Sequence, residues 1–198
     1  MSLAQTILRR VHRRGPGTVF TAQDFVDLGS RAAVDQALSR LARSKDVHRV
    51  ARGVYDIPRV HPRIGQIAPA PQRVAEALAR QSGGHLQPDG AAAANALGLS
   101  TQVPAQPTWL TDKRSRRVVI GRLPVVVRHV DPRSNPFLGT PAGMTISALR
   151  YLGRGNVSDD SLSRLSSVLA PADKRRLRRV QPQLPGWMRA AVARVAAA

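Results

Sequence analysis

At 198 residues the chain has room for one domain or two small ones, which excludes a large multidomain enzyme. Its 31 Lys and Arg against 12 acids give a formal charge of +19, a field that favours polyanions and makes nucleic acid the first partner to consider. Cysteine is absent, which rules out disulfides and thiolate metal sites and fits a reducing cytosol.

No apolar run approaches the roughly 18 residues of a membrane span, and residues 1–10 lack the apolar stretch of a signal peptide. The expectation is a cytoplasmic protein with no membrane partner. Of the 31 bases 28 are Arg, and Glu76 is the only Glu, a skew that an Arg- and Ala-rich genome also produces. Charge alone therefore does not decide the partner.

In chain order, Leu3, Ile7, Leu8 and Val11 recur at helical spacing, and Gly15-Pro16-Gly17 stops that helix because neither residue type continues it. Val19-Phe20 is a short extended piece. Thr21 and Asp24 read as the capping start of a second helix, with Phe25, Val26 and Leu28 on its apolar side and Gly29 as its stop. Ser30 caps a third helix, in which Val34, Ala37, Leu38 and Leu41 form one stripe. Two β-branched runs, Val47–Val50 and Val54–Ile57, are broken by Arg52-Gly53 and closed by Pro58, which predicts a hairpin.

Helix, short strand, helix, turn, helix and hairpin make up the plan of a winged helix-turn-helix, predicted over residues 1–60. Residues 61–71, punctuated by Pro and Gly, read as a linker with little regular structure. Residues 72–198 read as a second, mixed domain. It starts with helices over 71–81 and 89–97, continues with Val-rich strands over 108–111, 117–120 and 123–130 in a small antiparallel sheet, and ends with helices over 146–152, 159–169, 171–180 and 185–195. The fold class expected is α+β.

If the stripe of the third helix faces inward, Gln36, Ser39, Arg40 and Arg43 turn outward, with Arg31 at the leading end that normally meets base edges. Arg and Gln make bidentate contacts with guanine and adenine, and Ser39 suits base or phosphate. Ser30 stands at the same leading end, Thr21 and Gln23 at the start of the second helix offer backbone N–H groups to a phosphate, and the hairpin carries Arg49 and Arg52. Any amphipathic helix has such a polar face, so the arrangement counts for more than its members. Two further basic clusters form a candidate second surface: Lys113, Arg114, Arg116 and Arg117 between two strands, and Lys174, Arg175 and Arg178 on a late helix. Residues 65–198 carry +12 against +7 for residues 1–64, which makes the far domain the more basic in this partition.

Catalysis has little support. His12, His48, His61, His85 and His129 fall in no metal-ligand spacing, and Gly139–Gly143 is no phosphate loop because no Gly-Lys-Ser/Thr follows. His129 and Asp131 share a strand face and are the one pair with acid–base or metal potential, while Asp159-Asp160 reads as an acidic first helical turn. No catalytic residue, metal or cofactor is expected.

The leading helix, the Thr21-capped second helix, the Ser30–Lys45 helix and above all the hairpin Val50-Ala-Arg52-Gly53-Val54-Tyr55-Asp-Ile-Pro58 resemble the N-terminal winged helix of the AbiEi-type antitoxins of bacterial type IV toxin–antitoxin systems. The segments Gly84-His-Leu-Gln-Pro-Asp-Gly90, Ala94-Asn-Ala-Leu-Gly98-Leu99 and Ala148-Leu-Arg-Tyr-Leu-Gly153 look like that family's second domain. The resemblance implies a regulator that represses its own operon at inverted repeats, with a second domain opposing a nucleotidyltransferase toxin. It also implies that Arg40, Arg43, Arg49 and Arg52 contact DNA. The partner expected is duplex DNA, bound by a monomer or by a dimer that forms on it. An RNA-binding protein using its basic C-terminal domain on tRNA or rRNA is the alternative.

Overall fold

The computed structural model describes residues 1–106 and 108–197. In chain order it contains α1 (Leu3–Arg14), β1 (Val19–Phe20), a 3-10 turn (Ala22–Phe25), α2 (Arg31–Arg43), β2 (His48–Ala51), β3 (Val54–Asp56), β4 (Arg59–His61), β5 (Gly65–Ile67) and α3 (Pro71–Ser82). These are followed by β6 (Gln87–Pro88), α4 (Gly90–Ala96), β7 (Thr108–Thr111), β8 (Arg116–Ile120) and β9 (Leu123–His129). Helices α5 (Pro141–Leu152), α6 (Asp159–Val168), α7 (Pro171–Val180) and α8 (Gly186–Ala197) complete the order. The protein is α+β with small antiparallel sheets. No helix among the described residues is long and apolar enough to cross a membrane.

The chain forms two compact units, Met1–Gly84 with Arg116–Val127, and His85–Ser115 with Arg128–Ala198. This differs from a division at residues 60–71 for a physical reason. The apolar side of α3, with Val74, Ala77 and Leu78 buried, packs against β1 and β3, and Arg80 of the same helix donates to Asp24 at 3.2 Å and to the Val19 carbonyl at 3.1 Å. Most of the hairpin β8–β9, Arg116–Val127, joins the same unit. The charge balance changes with the boundary: the first unit carries 17 bases and 6 acids, +11, and the second +8, so the first is the more basic.

In the first unit the core is built from Ile7 and Val11 of α1, Phe20, Phe25, Val34, Ala37 and Leu38, with Tyr55 from β3. Phe20 meets Phe25 edge-on at 5.7 Å and stacks on Tyr55 at 6.2 Å, so three of the chain's few aromatics are spent locking one corner. Ser2 and Ser30 cap α1 and α2 by accepting from the N–H groups of Gln5 and Ala33. The sheet runs β1-β3-β2, all antiparallel.

The predicted second helix is shorter than its pattern suggests, a single 3-10 turn. The Asp24 carboxylate accepts from the Thr21 N–H at 2.8 Å and from its hydroxyl at 3.2 Å, so the cap forms, but Val26 is exposed and nothing rewards continuing the helix. The stretch expected to be a linker holds the hairpin β4–β5, with Arg59 opposite Ile67 and His61 opposite Gly65. Gly65, at φ +74, supplies its turn.

The second unit rests on a separate core in which Ile146 and Leu149 of α5, Leu165 of α6, Leu177 of α7 and Met188 and Val192 of α8 are buried together. Helix α5 starts at Pro141, five residues earlier than its apolar pattern indicates, because Thr140 caps it by accepting from the Gly143 N–H. A Cβ on Gly143 would stand 2.2 Å from the Phe137 carbonyl oxygen, so close packing requires glycine there. Buried Gln87 donates to the Gly143 carbonyl at 3.2 Å and to the Ser147 hydroxyl at 2.8 Å, and accepts from the Gly139 N–H at 3.0 Å. The Gly139–Gly143 run is thus the start of a helix held by an amide.

Candidate nucleic-acid interface

Helix α2 divides cleanly into two sides. Val34, Ala37, Leu38 and Leu41 are buried, while Gln36, Arg40 and Arg43 are exposed and Ser39 is half-buried at the edge. Burial of Val34, Leu38 and Leu41 is worth roughly 1.5–3 kcal/mol each, which fixes the helix's rotation and so the direction of its guanidinium groups. Two contacts hold the frame around it. Arg10 on α1 makes a bidentate pair with Asp27, both bonds 2.8 Å, which draws that carboxyl below its usual range, and α1 packs directly on α2.

The β2–β3 hairpin stands beside this helix in the same unit. Ala51 pairs with Val54 across the two-residue turn Arg52-Gly53, and the register slips between Arg49 and Ala51, leaving a bulge. Gly53 sits at φ +74, which favours glycine, and Nε2 of Gln81 lies 2.7 Å from where a Cβ would stand, so the Gln81 side chain lies against the turn. Arg49 and Arg52 are exposed. Among the described residues, Arg40, Arg43, Arg49 and Arg52 form no ion pair.

The remaining predicted contacts fare differently. Thr21 is fully buried, and its N–H and hydroxyl are both spent on Asp24, so it has no donor for a phosphate. Ser30 is exposed but serves as the cap of α2. Arg31 donates to Asp35 at 3.1 Å and to Gln23 Oε1 at 3.4 Å, bonds that leave the Gln23 backbone N–H uncommitted. Gln36, Ser39, Arg40, Arg43, Arg49 and Arg52 are the predicted contacts whose side chains make no hydrogen bond or ion pair among the described residues.

The family comparison covers both units. The model of a family of unknown function, DUF6088, matches residues 6–177. The chain belongs to that family. Neither a curated protein nor a solved structure matches it. The DUF6088 span runs from α1 into α7 and so includes the helix, both hairpins and the basic loop.

The residues of the candidate second surface are divided between the two units. Arg116 and Arg117 belong to the first unit, Lys113 and Arg114 to the second. On α7, Lys174 donates to Ser166 at 3.2 Å, Arg176 is paired with Asp173 at 2.8 Å, and Arg178 donates to the Ala196 carbonyl at 2.6 Å, leaving Arg175 and Arg179 without an ion-pair partner among the described residues. His129 and Asp131 do not meet: the imidazole is 3.0 Å from the Lys113 carbonyl, and the Asp131 carboxylate accepts from the Arg133 N–H at 2.8 Å. No group of three His, Asp or Glu among the described residues is placed to hold a metal ion.

Two features escape sequence reading. Asp56 is fully buried on β3, where burial raises its carboxyl above the usual range; His48 across the ladder contacts Oδ1 at 2.9 Å and pulls the other way, while Oδ2 has no partner. The second is the bridge from Gln81 to Arg116, 2.8 Å long and 35 positions apart, which no local pattern announces. A cavity of about 640 Å³ in the first unit is lined by Arg14, Arg59, Arg73 and Arg80, but Asp24 and Glu76 in the same wall offset part of that charge.

Proposed function

We propose that the first unit is a winged helix-turn-helix that binds duplex DNA sequence-specifically, and that the protein is a transcriptional regulator. One observation carries this reading: α2 and the β2–β3 hairpin present Arg40, Arg43, Arg49 and Arg52 exposed and, among the described residues, without an acidic partner, on a frame of helices and a three-stranded sheet. In this account α2 lies in the major groove, Gln36, Arg40 and Arg43 meet base edges, and Arg49 and Arg52 hold the adjacent backbone. The +11 charge of the unit steers it to the duplex.

A single winged helix reads few base pairs, so a second copy on an inverted repeat completes an operator. The antitoxin role rests on the sequence resemblance alone. It assigns the second unit to opposing a nucleotidyltransferase toxin, and co-expression with a neighbouring gene of that type tests it.

The DNA reading is tested by equilibrium competition of the full chain on duplex from upstream of its own gene, with mixed-sequence duplex and total tRNA as competitors. The expected result is that one upstream duplex resists both, by the 10³-fold or more that separates specific from non-specific binding. Displacement by tRNA at lower concentration than by duplex would replace this reading with an RNA-binding one.

A further inference from the structure

We infer that the hairpin β8–β9 is a second DNA-binding ribbon lying beside the β2–β3 hairpin, with Arg117 on a phosphate. The inference rests on the DNA reading above and extends the contact surface to residues more than 60 positions beyond the first hairpin. Strand β8 belongs to the same compact unit as β2 and is in contact with it. Gln81, at the end of α3, joins the two hairpins. Its Nε2 crowds the Gly53 turn, and its Oε1 accepts from Arg116 at 2.8 Å, so the tip of the first ribbon and the start of the second meet at one amide.

Side-chain alternation sets what this ribbon presents. Arg116, Val118 and Ile120 are half-buried or buried and pair with Val127, Val125 and Leu123, whereas Arg117 and Val119 point the other way and are exposed, Val119 at 54%. Arg122 is exposed in the two-residue turn that Gly121, at φ +60, closes. Residues 116–127 carry three Arg and no acid. A cationic ribbon with no acid of its own, anchored beside Arg49 and Arg52, fits a polyanionic backbone and does not fit a second copy of this positively charged unit.

The test is the salt dependence of binding of the full chain to a short mixed-sequence duplex, on which phosphate contacts form regardless of base sequence. Each phosphate contact contributes roughly 0.9 to the slope of log K against log salt. Arg117→Ala should make that slope shallower by about 0.9 with an unchanged thermal melt, Arg117→Lys should restore it, and Arg175→Ala in the second unit should leave it as it is. An Arg117→Ala slope equal to that of the wild type would overturn the inference while leaving the DNA reading intact. An equal loss from Arg175→Ala would also overturn it, by showing that only total charge matters. Absence of duplex binding by the wild type would overturn the DNA reading and this inference with it.

Discussion

In α2 and the β2–β3 hairpin, five arginines face solvent and, among the described residues, only Arg31 is held by an acid. In α7, five bases follow one another in ten residues, and three of them are consumed inside the second unit by Ser166, Asp173 and the Ala196 carbonyl. A base count would rank the two segments as equals. The difference lies in their donors: a guanidinium already satisfied by a carbonyl or carboxylate must give up those bonds to hold a phosphate, whereas a solvated one exchanges only water. The comparison separates bases bonded within the protein from bases left solvated.

The strongest way to break the comparison is to remove what aims α2. Leu38→Ala empties a fully buried site and should cost about 2–5 kcal/mol of stability, read by denaturant unfolding; a loss under about 1 kcal/mol would mean that the seam does not fix the helix. A smaller effect sharpens the contrast from the other side. Arg178→Ala removes the bond to Ala196 and should lower stability by about 1 kcal/mol with duplex affinity unchanged; a tenfold drop in affinity would place α7 in the interface.

The smallest effect concerns pH. Burial raises the Asp56 carboxyl above its ordinary 3.8, so the native state holds this proton to higher pH than the unfolded chain does, and its contribution is greatest at acid pH and declines as pH rises through the raised value. Asp56→Asn should flatten that decline in a series of thermal melts from acid to neutral pH, and a variant melting profile parallel to the wild type would remove the assignment.

Much of the frame was legible because it repeats locally. The stripe Val34, Ala37, Leu38 and Leu41 is the set that is buried, the Ser30 cap forms, and the Arg52-Gly53 turn lies where β-branched runs on either side demand one. What was not legible depends on distant partners. Asp24 answers both to Thr21 and to Arg80, 56 positions away, and the helix predicted after it shrinks to one turn. Prolines and Gly65 around residues 59–67 signal a loop, yet glycine at positive φ also closes a hairpin, and pairing geometry rather than composition decides between them. The same holds for the candidate site: Arg31, Arg40, Arg43, Arg49 and Arg52 stand out alike by residue type and spacing, and only the structure shows that Arg31 pairs with Asp35 and that the Thr21 hydroxyl is spent on Asp24.

The most direct measurement titrates the double variants Arg40→Ala/Arg43→Ala and Arg176→Ala/Arg178→Ala, equal in charge removed and the second pair already bonded within its own unit, against the same upstream duplex at fixed salt. The account predicts a loss of about 1–3 kcal/mol per base-reading arginine for the first and near wild-type affinity for the second. Equal losses from both pairs would contradict it.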